Sequence, residues 1–162
     1  MGIAEELLAL AGYLATSPSA AFEQAAFRRS VSTAYYALFH LLVGAAAQRW
    51  NGSAEARLGL ERAFKHNSMK EISGLVSKGS WKSWSTPQLI VPTELKKLAE
   101  AFVRLQEARH LADYDNTKVW TFTEVDLHLA QARTAFHNWQ KIHTDPAAHE
   151  YLLALLIGKK RE

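Results

Sequence analysis

An all-α fold is predicted, an up-and-down bundle of about five to six helices, and three observations predict it. Apolar residues recur at three- and four-residue intervals along most of the chain. No stretch shows the strict alternation of a half-buried strand. At 162 residues, 48% of them apolar and 22% charged, the chain can bury the core of one domain and is not of disordered composition.

The elements follow in order. Ile3–Ala15 reads as a first helix, with Ile3, Leu7, Leu10 and Leu14 as its buried stripe. Thr16-Ser17-Pro18-Ser19 breaks it and offers capping groups to the next. A long Ala-rich helix runs from Ala20 to Trp50, with Phe27, Val31, Ala34, Leu38 and Leu42 on one face, widened by Tyr35 and Phe39. Asn51-Gly52-Ser53 closes it and caps Ala54–Phe64. Asn67-Ser68 is expected to cap a short helix at Met69–Val76. Lys78–Pro92 contains Gly79, two Pro and two Trp without helical period, so it reads as a long loop. Thr93–Asp115 carries Leu95, Leu98, Phe102, Leu105 and Ala112 on one face. Thr121 or Thr123 can cap a helix to His143, with Val125, Leu129, Ala132, Phe136 and Trp139 or Gln140 inward. Asp145-Pro146 opens a last helix to about residue 158, with Tyr151, Leu152, Leu155 and Leu156 inward and a basic tail at Lys159-Lys160-Arg161. A single domain spans 1–162, its core at 20–143, with a helix at 3–15 before it and one at 146–158 after it.

Charge and composition narrow the partners. The net charge of +3 permits a nucleic-acid partner without requiring one. With no cysteine, disulfides, thiolate metal sites and a Cys nucleophile are excluded. Met1–Thr16 carries Glu5 and Glu6 and no basic start, unlike a signal peptide, and the apolar run Tyr151–Ile157 is too short to cross a bilayer. A cytoplasmic protein with no membrane partner is the expectation.

Arg109 breaks the apolar pattern. Continuing the stripe by four from Leu105 lands on it, and Asp113 follows one turn later, within reach of a guanidinium. A charge on a core-facing stripe costs several kcal/mol unless it is paired or lines a cleft. Either a cleft holds this Arg ready for a phosphate or an oxyanion, or the pair merely fixes helix register. His110 and Tyr114 flank it and point away on a helical wheel, though the imidazole of His110 could still serve as general base for a ribose 2′-hydroxyl.

On the long helix, Arg29, Thr33, Tyr36 and His40 form a polar stripe flanked by Arg28 and Ser32. It suits a phosphate and a stacked base, or it is a solvated face with Tyr36 packed on its neighbours. Trp81 and Trp84 with Lys78 and Lys82 suit single-strand stacking, or they tuck back onto the bundle. The remaining histidines show no metal-ligand spacing, and there is no phosphate-cradling Gly-rich loop, so no metal or cofactor is expected.

At these residues the chain resembles a HEPN-domain protein. Arg28-Arg29-Ser30-Val31-Ser32-Thr33-Ala34-Tyr35-Tyr36-Ala37-Leu38-Phe39-His40 is similar to the Arg-Ser-x-x-Ser-x-Ala-Tyr-Tyr-Ala-x-Phe-His signature of the small prokaryotic branch. Ala108-Arg109-His110-Leu111-Ala112-Asp113-Tyr114-Asp115 resembles its Arg-x-x-Ala-Asp-Tyr signature, and Phe64-Lys65-His66 falls where the family often has a His. The resemblance covers roughly residues 20–143. It implies a helical bundle, often a homodimer with the motif helices facing each other. Members of the family include metal-independent endoribonucleases of toxin–antitoxin, phage-defence and CRISPR systems, frequently partnered with small nucleotidyltransferases. Active members follow the Arg with a His four to six residues on; the corresponding positions here are Tyr114, Asp115 and Asn116.

Three readings follow. In the first, the chain is a binding module for RNA, a nucleotide or a partner protein, using Arg28, Arg29, Ser32, Tyr36, His66, Asp113 and Tyr114 beside Arg109. In the second, it is a ribonuclease in which Arg109 stabilises the phosphorus centre and His40, His66 or His110 moves the proton. In the third, it is a purely structural bundle, with Arg109 fully enclosed and satisfied by Asp113 alone.

Overall fold

The computed structural model describes residues 1–16 and 19–159. Among them are seven α-helices and no strand: α1 (Ile3–Thr16), α2 (Glu23–Arg49), α3 (Ala54–Ala63), α4 (His66–Ser77), α5 (Thr93–Tyr114), α6 (Phe122–Ile142) and α7 (Pro146–Ile157). The fold is an all-α bundle. One cluster of buried side chains drawn from α1, α2, α4, α5, α6 and α7 fills its centre. Ser17 and Pro18 of the expected breaker, and Lys160 and Arg161 of the basic tail, lie outside the described residues.

Packing of α2 against α1, α5 and α6 organises the bundle. Phe27, Val31, Ala34, Tyr35, Leu38 and Leu42 are all buried, as the apolar spacing predicts. Residues 20–22 form a separate 3-10 turn, and Ser19 before it makes no side-chain capping bond. By length and composition Ala20–Arg49 could cross a bilayer, yet 61% of its most apolar window is buried inside the bundle, as in a core helix.

On α1 the buried face differs from the expected stripe. Ala4, Ala11 and Ala15 are buried, whereas Ile3 and Leu10 are exposed. Small side chains let the backbone of α1 lie close to α2, and Ser30 Oγ of α2 donates to the Ala11 carbonyl at 2.7 Å. Close approach here outweighs side-chain size.

Capping sets the remaining boundaries. Thr121, rather than Thr123, opens α6 in a full capping box with Glu124. Asp145 accepts from the Ala147 amide ahead of Pro146, the expected start of α7. Gly79, at φ 72°, turns the chain out of α4 in a conformation that residues with a Cβ rarely adopt. The segment from Lys78 to Pro92 then has no helix or strand. Ser83 donates to Glu150 Oε2 at 2.8 Å, and Ser85 donates to Oε1 of the same carboxylate, so α7 tethers this long connection. Trp81 packs against the core, the structural alternative for that side chain.

Two arginines of α2 complete the ends of other helices. Arg28 donates from Nη1 to the carbonyls of Ala112 (3.0 Å) and Asp115 (2.8 Å), and from Nη2 to that of Lys118 (2.6 Å). These are carbonyls that the end of α5 and the following turn leave without helical partners. At the far end of α2, Arg49 donates to the carbonyls of Ala45 and His143 and lies over the Trp139 ring. α3 has no fully buried residue and touches the core through partly buried Leu60.

Arg28→Ala should lower unfolding stability by about 1.5–3 kcal/mol, the typical worth of hydrogen bonds to a charged group. Arg28→Lys should recover only part of it, because an ammonium cannot span the same carbonyls with a fixed fork. An unchanged urea midpoint in Arg28→Ala would refute the clamp.

Candidate functional site

Three turns of α5 build the site. Leu98, Phe102 and Leu105 are buried, and the next residue on that stripe is Arg109. The core side of α5 meets α2 at Tyr35 and Tyr36, so the guanidinium meets phenols rather than aliphatic carbon. Its Nη2 donates to the Tyr36 hydroxyl at 2.8 Å. The carbon of the guanidinium lies 5.4 Å from the Tyr36 ring centre, and 5.8 Å from those of Tyr35 and Tyr114.

Asp113 completes the surround. Its Oδ2 is 3.0 Å from Arg109 Nε, but that N–H is enclosed and makes no aligned hydrogen bond, so the contact is one of charges. Ser32 of α2 donates to the same Oδ2 at 3.3 Å and fixes the carboxylate. Burial opposes the Arg109 charge, but Tyr36, Asp113 and Tyr114 together hold its pKa above the ordinary value. The Arg109 side chain remains 17% exposed. It is thus neither sealed in nor satisfied by Asp113 alone, the arrangement a purely structural pair requires.

Arg109 opens onto a cleft of about 940 Å³ between α4 and α5, lined also by Lys65, His66, Asn67, Gln106 and His110. The start of α4 differs from the sequence expectation in a way that matters here. The helix begins at His66, and Asn67 and Ser68 lie within its first turn instead of capping it. Lys65 occupies the capping position without a side-chain bond, and the Met69 amide is the first to bond back, to the Lys65 carbonyl at 3.0 Å. The preceding amides therefore have no helical partner and carry the positive end of the helix dipole.

His66 is fixed from three sides. Its Nδ1 is 2.5 Å from the Tyr35 hydroxyl, its ring stacks on Phe39 at 4.6 Å, and its carbonyl accepts from Gln106 Nε2 at 3.3 Å. Burial, then the charges of Arg109 and His40, push its pKa below 6.5. Burial pushes the Tyr35 phenol upward, so it keeps its proton. A hydroxyl can donate to a bare Nδ1 or accept from Nδ1–H, so Tyr35 accommodates His66 in either tautomer.

The other sequence candidates divide. Tyr36, Ser32, His66 and Asp113 surround Arg109, directly or through one contact. His110 lines the cleft, and the Tyr114 ring covers Arg109, contrary to the helical-wheel expectation that both point away. The reason is that long side chains on a helix lean toward its N-terminus, so Tyr114 reaches back over the preceding turn. Arg28 is committed to carbonyls at the end of α5 and does not line the cleft. Arg29 is exposed on α2. His40 stands edge-on to Phe39 at 5.4 Å, outside the cleft lining. Tyr35, Phe39, Lys65 and Gln106 are participants that sequence spacing did not assign to the site. Gln106, one turn before Arg109 on α5, offered a signal, because its amide interrupts the same helix. No group of three or more His, Asp or Glu side chains suited to a metal occurs among the described residues.

No family model, curated protein or solved structure matches the chain. The geometry stands on its own residues.

Acid should weaken the fold in two separate windows. His66 and His128 both have pKa values lowered by burial, so the unfolded chain binds their protons more readily. Stability should therefore fall as pH drops below 6.5 and through their lower folded values. Glu124, held at about 2 chiefly by Lys118, acts oppositely in origin: its contribution is present above 4.5 and is lost as pH falls through about 2. Urea midpoints from pH 7.5 to 5 test the first window, and His66→Gln should flatten part of that slope. A profile without slope there would show the imidazoles to be unperturbed.

Proposed function

We propose that this chain is a HEPN-like module whose α4–α5 cleft binds the phosphate of RNA or of a nucleotide, with Arg109 as the principal anion contact. One observation carries the reading: a buttressed guanidinium with unused donors opens onto a cleft. A guanidinium has five N–H donors. Arg109 gives one to Tyr36 and sets Nε beside Asp113, while Nη1 has no hydrogen-bond partner among the described residues. The uncapped start of α4 and Lys65 add to the attraction for an anion. The resemblance of residues 28–40 and 108–115 to HEPN signatures supports the same reading. It extends the proposal to a cytoplasmic homodimer of a toxin–antitoxin or defence system, partnered by a small nucleotidyltransferase.

Arg109→Ala should weaken binding of a short RNA at least tenfold. It should also flatten the dependence of log affinity on log salt by about 0.7 for each phosphate no longer neutralised. Competition by a mononucleotide at equal phosphate concentration separates a nucleotide site from one that needs a strand. Absence of binding to both RNA and nucleotide by the folded wild-type protein would overturn the proposal.

A second reading, a metal-independent endoribonuclease, is favoured by the proximity of His66 to Arg109 in one cleft. His66, neutral near pH 7, takes the proton of a ribose 2′-hydroxyl. The oxygen then attacks the adjacent phosphorus, the bond to the 5′ oxygen breaks, and that oxygen leaves with a proton from water. Arg109 stabilises the charge that accumulates at phosphorus. The missing His after Arg109 is thereby replaced by one from α4. RNA cleavage in excess chelator should be lost in both His66→Ala and Arg109→Ala, with RNA affinity kept in the first. No products from the wild-type protein, or undiminished cleavage by either folded variant, would discard this reading.

A further inference from the structure

The cleft accounts for a phosphate but leaves its outer edge unexplained. On α5, His110 and Tyr114 project beside Arg109 with their rings 5.1 Å apart, tilted by 51°. Tyr114 is 65% exposed and Leu111 between them is 40% exposed. Single exposed aromatics are ordinary on protein surfaces. Here, however, His110 and Leu111 line the cleft, and Tyr114 stands just outside that lining against His110 and Arg109, so that the three form a lip beside an anion-seeking guanidinium.

Tyr36, the residue whose spacing suggested base stacking, is not available for it. Its hydroxyl accepts from Arg109, and its ring edge rests against Tyr35 at 5.3 Å and Phe39 at 6.4 Å. Tyr114 differs on both counts. No hydrogen bond holds its hydroxyl among the described residues, and most of its surface faces solvent. Arg109 lies over this ring at 5.8 Å. A guanidinium against one face of an aromatic ring leaves the opposite face for another flat system, and most of the Tyr114 surface is exposed, so a stacked base and the cation–π contact can share this ring.

We infer that the His110–Tyr114 lip is a nucleobase-stacking subsite, placed so that a base next to the phosphate held by Arg109 lies on Tyr114. The inference rests on the phosphate-binding reading and adds to it a contact made to the base. Stacking of this kind tolerates any base and favours the larger face of a purine. It demands a base that is unpaired and turned out of its own stack.

The test compares a short oligoadenylate RNA with a sugar-phosphate strand of equal length lacking bases. Wild-type protein should prefer the oligoadenylate. Tyr114→Ala should cut affinity for oligoadenylate on the order of 5- to 100-fold, a clearly larger loss than it causes toward the abasic strand, where only its contact with Arg109 is removed. Tyr114→Phe, which keeps the face and removes the hydroxyl, should bind like wild type. Helical circular dichroism and the urea midpoint confirm that each variant is folded. Unchanged oligoadenylate affinity in Tyr114→Ala, or an equal loss toward both strands, would overturn the stacking subsite and leave the phosphate cleft standing. If the wild-type protein binds neither strand, both proposals fall together.

Discussion

A guanidinium on the seam between α2 and α5 must be kept charged without bulk water around most of it. Desolvation alone would make that position costly. The surrounding residues offset it piece by piece: a phenol accepts one N–H, a carboxylate lies beside another, and the faces of tyrosines stand over the delocalised charge. Each of those groups is in turn positioned by packing. Tyr35 and Tyr36 belong to α2, the helix that contributes most residues to the core, and Asp113 is steadied by Ser32 of that same helix. The site is therefore a property of the α2–α5 interface, not an addition to its surface. Displacing either helix would expose a charge to apolar neighbours before it exposed any ligand.

Three arginines in this bundle show how the same side chain is put to different ends. Arg28 commits its donors to carbonyls that the end of α5 leaves over. Arg49 does the same near the end of α6 and adds a contact with His149. Arg109 has fewer hydrogen-bond partners and an open side. What distinguishes the candidate from the structural pair is the donor capacity left after the fold has been satisfied. Charge is alike in all three and does not separate them.

The helical class and most boundaries were legible because they depend on local signals: apolar spacing, Asp145-Pro146 and the threonine before α6. The inward faces of α2, α5 and α6 were readable for the same reason. The face of α1 was not, because alanine rather than leucine marks a close backbone approach, and hydrophobicity alone ranks it lower. Arg109 with Asp113 was visible as an interruption of a stripe. His66 was harder to see, since its place beside Arg109 depends on where α4 starts and how α4 leans on α5. Neither is written in local spacing. Arg28 misled for the opposite reason: beside an Arg and a Tyr it looked like a ligand contact, while its partners are carbonyls more than eighty positions away in sequence.

The shortness of the path from α2 to His66 has an evolutionary consequence. α3 is ten residues long, has no fully buried side chain, and is joined to α4 by Phe64 and Lys65 alone. It works as a strut. Drift in its sequence should be widely tolerated as long as Leu60 and the seat of Phe64 survive. Insertion or deletion should not be, because a single residue would rotate the start of α4 by about 100° and swing the imidazole away from its phenol. The constraint on this stretch falls on its count of residues far more than on their identity.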